Sequence, residues 1–526
     1  MTRSTVATLL LAAALLVGGA AAQSERPLRL AIPGDEGSLT PYTYVTGYPG
    51  YELMTLVYDQ LFLMDEALVP RPWLAAGLEI VDDLAYVVTL REGVRWHDGE
   101  PFTADDVAFT IGYYQTHPLG RFTTSANRIV DVRVDGADRV TLVLAAPDAT
   151  FVEAALADLP ILPRHLWQDV DEPRAATEAI GTGPYRLVEA RSEQFYRLEA
   201  NPDFWGPAPA VPTIVALVVR DETATFQALL AGEIDAATRA VPAGSVAALR
   251  ARPDLAIAQG SGFATTLLVM DVTRPGLADA AVRRVIAGAI DYGRLVDVLL
   301  LGFGTVGTPG FLHPDNPFAN PATAEPRRLA PAEARALLRE AGYLERADGT
   351  FAFADGAALA FELLAPANNP TRLRAAELIA QDLAAVGIAV TVRSLESEAL
   401  TQRVWPDFDV SKGRNYDLAV FGWSAPVNAR ANLRGLLHGD PAKGTLNLAG
   451  FDDAEANELS DRAVATVDVD ARRAVLWSLQ EIVARDVPLV PLFYQDGVYA
   501  YRPAAYDGWT YMAGQGILHK RSLLRR

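Results

Sequence analysis

The chain has 526 residues, with 46 Lys and Arg against 65 Asp and Glu and a formal charge of -19. Half of it is hydrophobic and 21% is charged, which excludes a disordered or collagen-like chain. The acidic balance argues against a nucleic-acid partner. Past the N-terminus, no apolar run reaches the length of a membrane span.

There is no cysteine, so disulfides, thiolate metal sites, cysteine nucleophiles and a lipid-modified cysteine anchor are all excluded. Lysine occurs only at Lys412, Lys443 and Lys520; the other cations are arginines. At roughly 100–200 residues per domain, the length predicts several domains.

Arg3 precedes an apolar run over 6–17, and small residues fill 18–22. Positive start, apolar middle and small-residue end make a cleavable secretory signal, with cleavage expected after Ala22. Without an anchor, the expected location is the periplasm.

A first strand is expected at 29–32, broken by Pro33 and Gly34, and a helix with an apolar face at 51–62. Residues 86–90 are β-branched and aromatic, hence a strand. Thr103 followed by Asp105 and Asp106 is the start of a helix. Residues 130–134 and 140–144 form a hairpin around Gly136. A buried strand at 214–219 precedes a helix capped by Thr223 and stopped at Gly232. Strongly apolar residues 282–300 read as one helix, and Pro331 starts another that ends at Gly342. Helix 372–386 stops at Gly387 and is followed by a strand, an order repeated by helix 471–485 and strand 489–494. Proline-rich stretches over 202–212 and 309–331 read as long surface loops or lobe connections. The sum is a mixed α/β protein of more than one lobe, without short repeats.

Motifs for chemistry are few. Gly302-Phe303-Gly304-Thr305-Val306-Gly307 matches the dinucleotide pattern, but it follows a helix and meets Pro309, so a glycine-rich loop is expected. No two of the six histidines stand at metal-ligand spacing. His97-Asp98 has no nucleophile elbow to serve, and a histidine bonded into a turn is the plainer reading. No P-loop is present. No catalytic residue, metal or cofactor is expected.

One long stretch is specific: residues 86–107, containing Leu90-Arg91-Glu92-Gly93-Val94-Arg95-Trp96-His97-Asp98-Gly99 and Phe102-Thr103-Ala104-Asp105-Asp106-Val107. It resembles a signature of the family 5 extracellular solute-binding proteins, the dipeptide and oligopeptide receptors of ABC importers. Gly181-Thr182-Gly183-Pro184-Tyr185, Asn201-Pro202-Asp203-Phe204-Trp205, Leu229 to Asp235, Val282 to Tyr292 and Ala334 to Gly342 resemble further motifs of that family.

The resemblance implies a two-lobed periplasmic binding protein fold (type II, with the extra subdomain of the peptide-binding cluster). It implies a discontinuous first lobe over 23–65, 180–265 and 490–526, an extra subdomain over 66–179 and a second lobe over 266–489. The implied function is hinge closure on an oligopeptide or similar polar solute, followed by docking on an inner-membrane ABC permease. A monomer is the default.

Peptide-binding relatives carry an aspartate just after a Gly-Trp pair, where it meets the ligand's α-amino group. Here Gly422-Trp423 is followed by Ser424-Ala425-Pro426-Val427-Asn428, with no acid. A buried ammonium without a carboxylate is costly, whereas Ser424 and Asn428 suit a neutral or hydroxyl-rich ligand and Trp423 suits stacking. The same carry-over nominates Phe421, Tyr44 with Tyr42, Phe263, and Tyr494 with Phe493 as lining aromatics. Arg414 is nominated as a carboxylate partner. The rivals are an oligosaccharide or other non-peptide receptor of the same fold, and a secreted hydrolase. Bound peptide distinguishes the first rival, and turnover the second. A receptor that only feeds a sensor is not separable from an importer component by sequence.

Overall fold

The computed structural model of the chain describes residues 26–45 and 47–525; the segment read as a secretory signal lies outside the described residues. Among the described residues, no helix is long and apolar enough to cross a membrane.

Two large sheets organise the molecule. The first runs Ala256–Gly260, Gly497–Tyr501, Ala236–Ala237, Leu28–Ile32, Thr213–Val218, Phe195–Ala200, Tyr185–Arg191. The second runs Gly304–Val306, Leu489–Gln495, Thr265–Met270, Leu418–Trp423, Ala360–Pro366, Ala389–Leu395. A smaller four-stranded antiparallel sheet, Ala75–Val81, Ala85–Leu90, Arg139–Leu144, Ile129–Val134, carries the family-like signature on its second strand.

The second sheet is buried on both faces. Along Thr265–Met270, Leu268 and Met270 enter one core while Leu267 and Val269 enter another. Period-2 alternation therefore separates two apolar sets, and the strand reads as continuously hydrophobic. The first sheet does the same on a smaller scale: Leu30 and Ile32 face one core and Ala31 the other.

The helix starts obey local chemistry. Thr103 and Asp106 form a reciprocal capping box ahead of Ala104–Thr116. Asp221, rather than the expected Thr223, caps Glu222–Ala231, and Gly232 ends it at φ 76°. The apolar stretch read as one helix is two, Ala280–Ala289 and Tyr292–Leu300, because Ile290 takes an extended conformation and the Asp291 side chain caps the second. The expected helix over 51–62 stops early, as Gly50–Thr55, and Phe62 already belongs to a strand. Its later carbonyls are needed elsewhere: Val57 O accepts from Gly183 N (2.9 Å) and Leu56 O from Tyr185 N (3.0 Å).

That contact explains the Gly181–Tyr185 motif. A Cβ on Gly183 would sit 2.4 Å from Leu56 O and one on Gly181 1.9 Å from Val57 O. His97 locks the same turn, its Nε2 at 3.0 Å from Gly183 O and its Nδ1 accepting from Gly181 N. Burial pushes the imidazole down to about 4, so it is neutral and structural. Gly302 to Gly307 is not a free loop, because Gly304–Val306 is the edge strand of the second sheet, paired with Leu489–Gln495. Gly183→Ala is expected to destabilise the protein by about 1–3 kcal/mol through overpacking, read as a lower urea midpoint at unchanged slope.

Candidate functional site: the cleft between the lobes

The chain passes between the two large sheets twice, side by side. Ala256–Gly260 leads through residues 261–264 into Thr265–Met270, and Leu489–Gln495 leads through Asp496 into Gly497–Tyr501. The two passages are antiparallel partners on both sides, with Gly260 opposite Gly497 and Thr265 opposite Tyr494. Between them the backbones nearly touch: a Cβ on Gly262 would lie 2.2 Å from Gln495 O. Phe263 follows in the left-handed region at φ 59°, fully buried, a conformation a bulky residue adopts only when its surroundings impose it. The C-terminal segment braces the turn, since Tyr511 Oη and Gly514 N both donate to Ser261 O.

Trp423 ends the strand that pairs with Thr265–Met270, opposite Thr265, and so stands beside the crossing. Trp423 is buried in the apolar core on this face of the sheet, where it packs edge-on against Phe421 (5.7 Å) and Trp405 (5.4 Å). Phe421 is half-buried and Ser424 exposed. From the first lobe, Tyr44 packs on Tyr51 and Phe122, and Arg121 lies 3.7 Å over the Tyr51 ring. Arg121 also grips Asp158 with two bonds (3.0 and 2.6 Å), and Arg430 of the second lobe reaches the same carboxylate at 3.3 Å. Burial would raise the Asp158 carboxyl, but the Arg121 charge and bonds outweigh it and hold the group below its ordinary value. The lobes meet again where Ala149 N donates to Val464 O (2.8 Å).

The other nominated residues are placed differently. Asn428 is fully buried: its Oδ1 accepts from His313 N and its Nδ2 donates to Phe311 O, so its amide holds the 311–316 loop. Tyr494 Oη is bonded to Thr308 and Phe311 O in the same region, Phe493 is buried in the second-lobe core, and Phe263 packs on His313. Tyr42 is buried and donates to His117 O. Arg414 precedes the far end of the strand whose near end is Trp423, a strand about 17 Å long, and its guanidinium covers Gly450.

A residue that sequence reasoning passed over as a helix start stands closer. Arg372 lies in the first turn of Pro370–Ala385, two residues after Pro370. Its guanidinium rests on Gly422, where a Cβ would be 1.9 Å from Nη2. Among the described residues the side chain has no hydrogen-bond or ion-pair partner, and burial alone lowers its basicity. A cation at the positive end of a helix, partly buried and unpaired, is unfavourable by itself. First-turn amides are taken up by Asn369, so the guanidinium is the unmet group, and an anion relieves it. The sequence signal was present, as an arginine in the turn where acids are favoured.

Two lobes joined by a paired crossing, with an unpaired cation beside it, have the architecture of a binding protein that closes on its ligand. Residues 69–443 match the model of the bacterial extracellular solute-binding proteins, family 5 Middle. The chain belongs to this family. It is similar to the oligopeptide-binding protein AppA of Bacillus subtilis, 26% identical with 90% of this chain and 87% of that protein covered. The AppA structure in complex with a nonapeptide matches with a TM-score of 0.70 over 95% of this chain and 99% of that one, at 24% identity. The peptide transport periplasmic protein SapA of Salmonella typhimurium is 26% identical, with 90% of this chain and 87% of that protein covered. NikA of Brucella suis, solved with Fe(III)-EDTA, shares the fold with a TM-score of 0.79 at 23% identity, over 94% of this chain and 98% of that one.

Close to the Tyr44–Arg121 wall, Glu52 is buried. Burial pushes its carboxyl from 4.5 up to about 7, against the opposing pull of the Arg121 and Lys520 charges. The fold therefore disfavours the ionised form, and the contribution of Glu52 to stability is lost as pH rises from about 4.5 through 7. Glu52→Gln removes this dependence: at pH 8 it is expected to gain on the wild type by up to about 3 kcal/mol, and at pH 4 to show little gain. Urea unfolding at the two pH values checks both.

Proposed function

We propose that this protein is the periplasmic substrate-binding component of an ABC importer and that its ligand is an oligopeptide. It captures the peptide by hinge closure and delivers it unchanged to the inner-membrane permease; no chemistry is done on it. In this reading the first lobe comprises 23–65, 180–264 and 496–526, the extra subdomain 66–179 and the second lobe 265–495; the expected boundary at 490 moves to Asp496 because Leu489–Gln495 pairs within the second sheet, and residues 1–22 direct export. Similarity to AppA and SapA supports the peptide class.

The observation that carries the reading is Arg372. Its unpaired guanidinium beside Gly422 and Trp423 suits a terminal carboxylate, met bidentately. Trp423, Phe421 and Tyr44 supply apolar area, Ser424 a hydroxyl, and main-chain groups the sequence-tolerant bonds. Because no acid follows Gly422-Trp423, the ligand's α-amino group lacks the partner that the usual aspartate would supply. The carboxyl end is then the charged anchor.

Native mass spectrometry of protein purified from its own host is expected to release peptides; a released sugar or metal chelate would overturn the peptide class. With a peptide in hand, N-acetylation is expected to change affinity less than about threefold, and C-terminal amidation to weaken it by about tenfold or more. Arg372→Gln is expected to erase the difference between acid and amide. Equal binding of acid and amide by the wild type would remove Arg372 from this role.

A further inference from the structure

Beyond Trp423 and Ser424 the space between the lobes opens into a cavity of about 410 Å3, within the range of ligand pockets. The extra subdomain contributes Arg128 and Glu153, and the second lobe Arg430, Arg434, Lys443 and Arg472. Five cations thus converge on one chamber of a chain whose overall charge is -19.

Four of the five have acids. Arg128 pairs with Asp148, Arg430 with Asp158, and Arg434 and Lys443 with Asp461. Arg472 has no carboxylate in bonding range among the described residues. It is 5% exposed, with Nη1 on Ala149 O (3.3 Å) and its guanidinium 4.7 Å over the Phe318 ring. Among the described residues its Nε–H has no acceptor, whereas Arg434 Nε lies 3.1 Å from Asp461 Oδ1. A buried cation with a donor left unmet is a standing demand for an acceptor, because an unmade bond is costly.

Glu153 supplies the complement. It sits on Val152–Leu156, a π-helical turn, an irregularity frequent at functional sites. Its Oε1 is buried without a partner. Burial raises its carboxyl above the ordinary value, although Arg472 and Arg430 pull the other way. Its neutral form, which burial favours, is a donor facing the same chamber as the arginines.

We propose that this chamber is a second anion subsite, which takes a ligand carboxylate held between Arg472 and Arg434 with Lys443 at its rim. The inference rests on the peptide reading and sharpens it: the preferred ligands carry an acidic side chain. Since the walls come from the extra subdomain and the second lobe, an anion here bridges them and favours the closed form. The same carboxylate chemistry can come from a peptide side chain or from a free dicarboxylate.

The test uses the full mature protein, freed of ligand by unfolding and refolding. Tetra-alanine and its single Glu and single Gln variants are titrated by calorimetry, and glutarate alone by thermal shift. One Glu position is expected to bind about tenfold tighter than its Gln isostere, with the preference falling as salt rises. Arg434→Gln and Lys443→Gln, both at part-exposed positions, are each expected to reduce that preference below threefold and leave tetra-alanine affinity unchanged. Arg472→Gln is the sharper variant where it folds.

Binding of glutarate to wild type and its loss in the variants would support the chamber with a free anion as its source. If no peptide binds, the peptide reading fails and the glutarate result alone decides the chamber. No Glu preference together with no glutarate binding, or a preference untouched by the variants, would overturn the proposal.

Discussion

The architecture depends on two antiparallel strands that cross together from one sheet to the other. A single crossing would be a flexible tether. Two crossings, paired at Gly260 with Gly497 and at Thr265 with Tyr494, restrict relative motion to bending about one line. The price is close packing: Gly262 lies on Gln495 O, Phe263 takes a left-handed conformation, and Tyr511 and Gly514 are tied to Ser261. Strain at a crossing of this kind sits where the φ and ψ changes of closure must occur. The same crossing fixes Trp423, which is in register with Thr265 and so meets the cleft at a set distance from the hinge.

The core around the first sheet needs a second fastening, since its strands come from distant parts of the chain. Asp59 provides it. Its carboxylate accepts from Trp73 Nε1 (2.7 Å), Thr182 Oγ1 (2.9 Å) and Lys520 Nζ, and Lys520 also donates to Tyr58 O. Both charged side chains are fully buried. Such a pair is tolerable only because nearly every lone pair and proton around it is used. It brings together the start of the chain, the Gly181–Tyr185 turn and the C-terminal segment. One of the three lysines in the chain is placed here, where a compact point charge fits and a planar guanidinium would need more room.

Much of the fold was legible in the sequence because its signals are local. β-Branched and aromatic content marked the strand at Ala85–Leu90, helix-then-strand order marked Leu489–Gln495, and Thr103 with Asp105 and Asp106 marked a helix start. Misreadings arose where a distant segment decided. The helix at Gly50–Thr55 ends because residues 181–185 claim the carbonyls of Leu56 and Val57, and no window around residue 56 contains that information. The site was less legible for the same reason. Asn428, Phe263 and Tyr494 have the right chemistry near the right places, yet all three are engaged with the 308–316 loop. Arg372 is fifty residues from Gly422 in sequence and reaches it only because Ala360–Pro366 lies beside Leu418–Trp423 in the sheet, which sets the following helix next to Gly422. What the sequence did hold was a local rule broken, a cation in an N-terminal helical turn, and broken rules concentrate at functional sites.

The unpaired cations also bear on how closure is controlled. A receptor that closed fully when empty would occupy its permease without cargo. Closing the lobes over Arg372 or Arg472 removes a charge from water with nothing to replace the lost hydration, which disfavours the closed state. The contacts across the mouth, Arg430 to Asp158 and Ala149 to Val464, favour it. These terms oppose one another, and a ligand moves the population by its differential affinity for the two states. A ligand carboxylate cancels the penalty in the closed form while gaining little in the open one, where the arginines remain hydrated. Ligand charge thus acts on the conformational equilibrium through the same groups that recognise it, and a neutral ligand of equal size would lack that leverage.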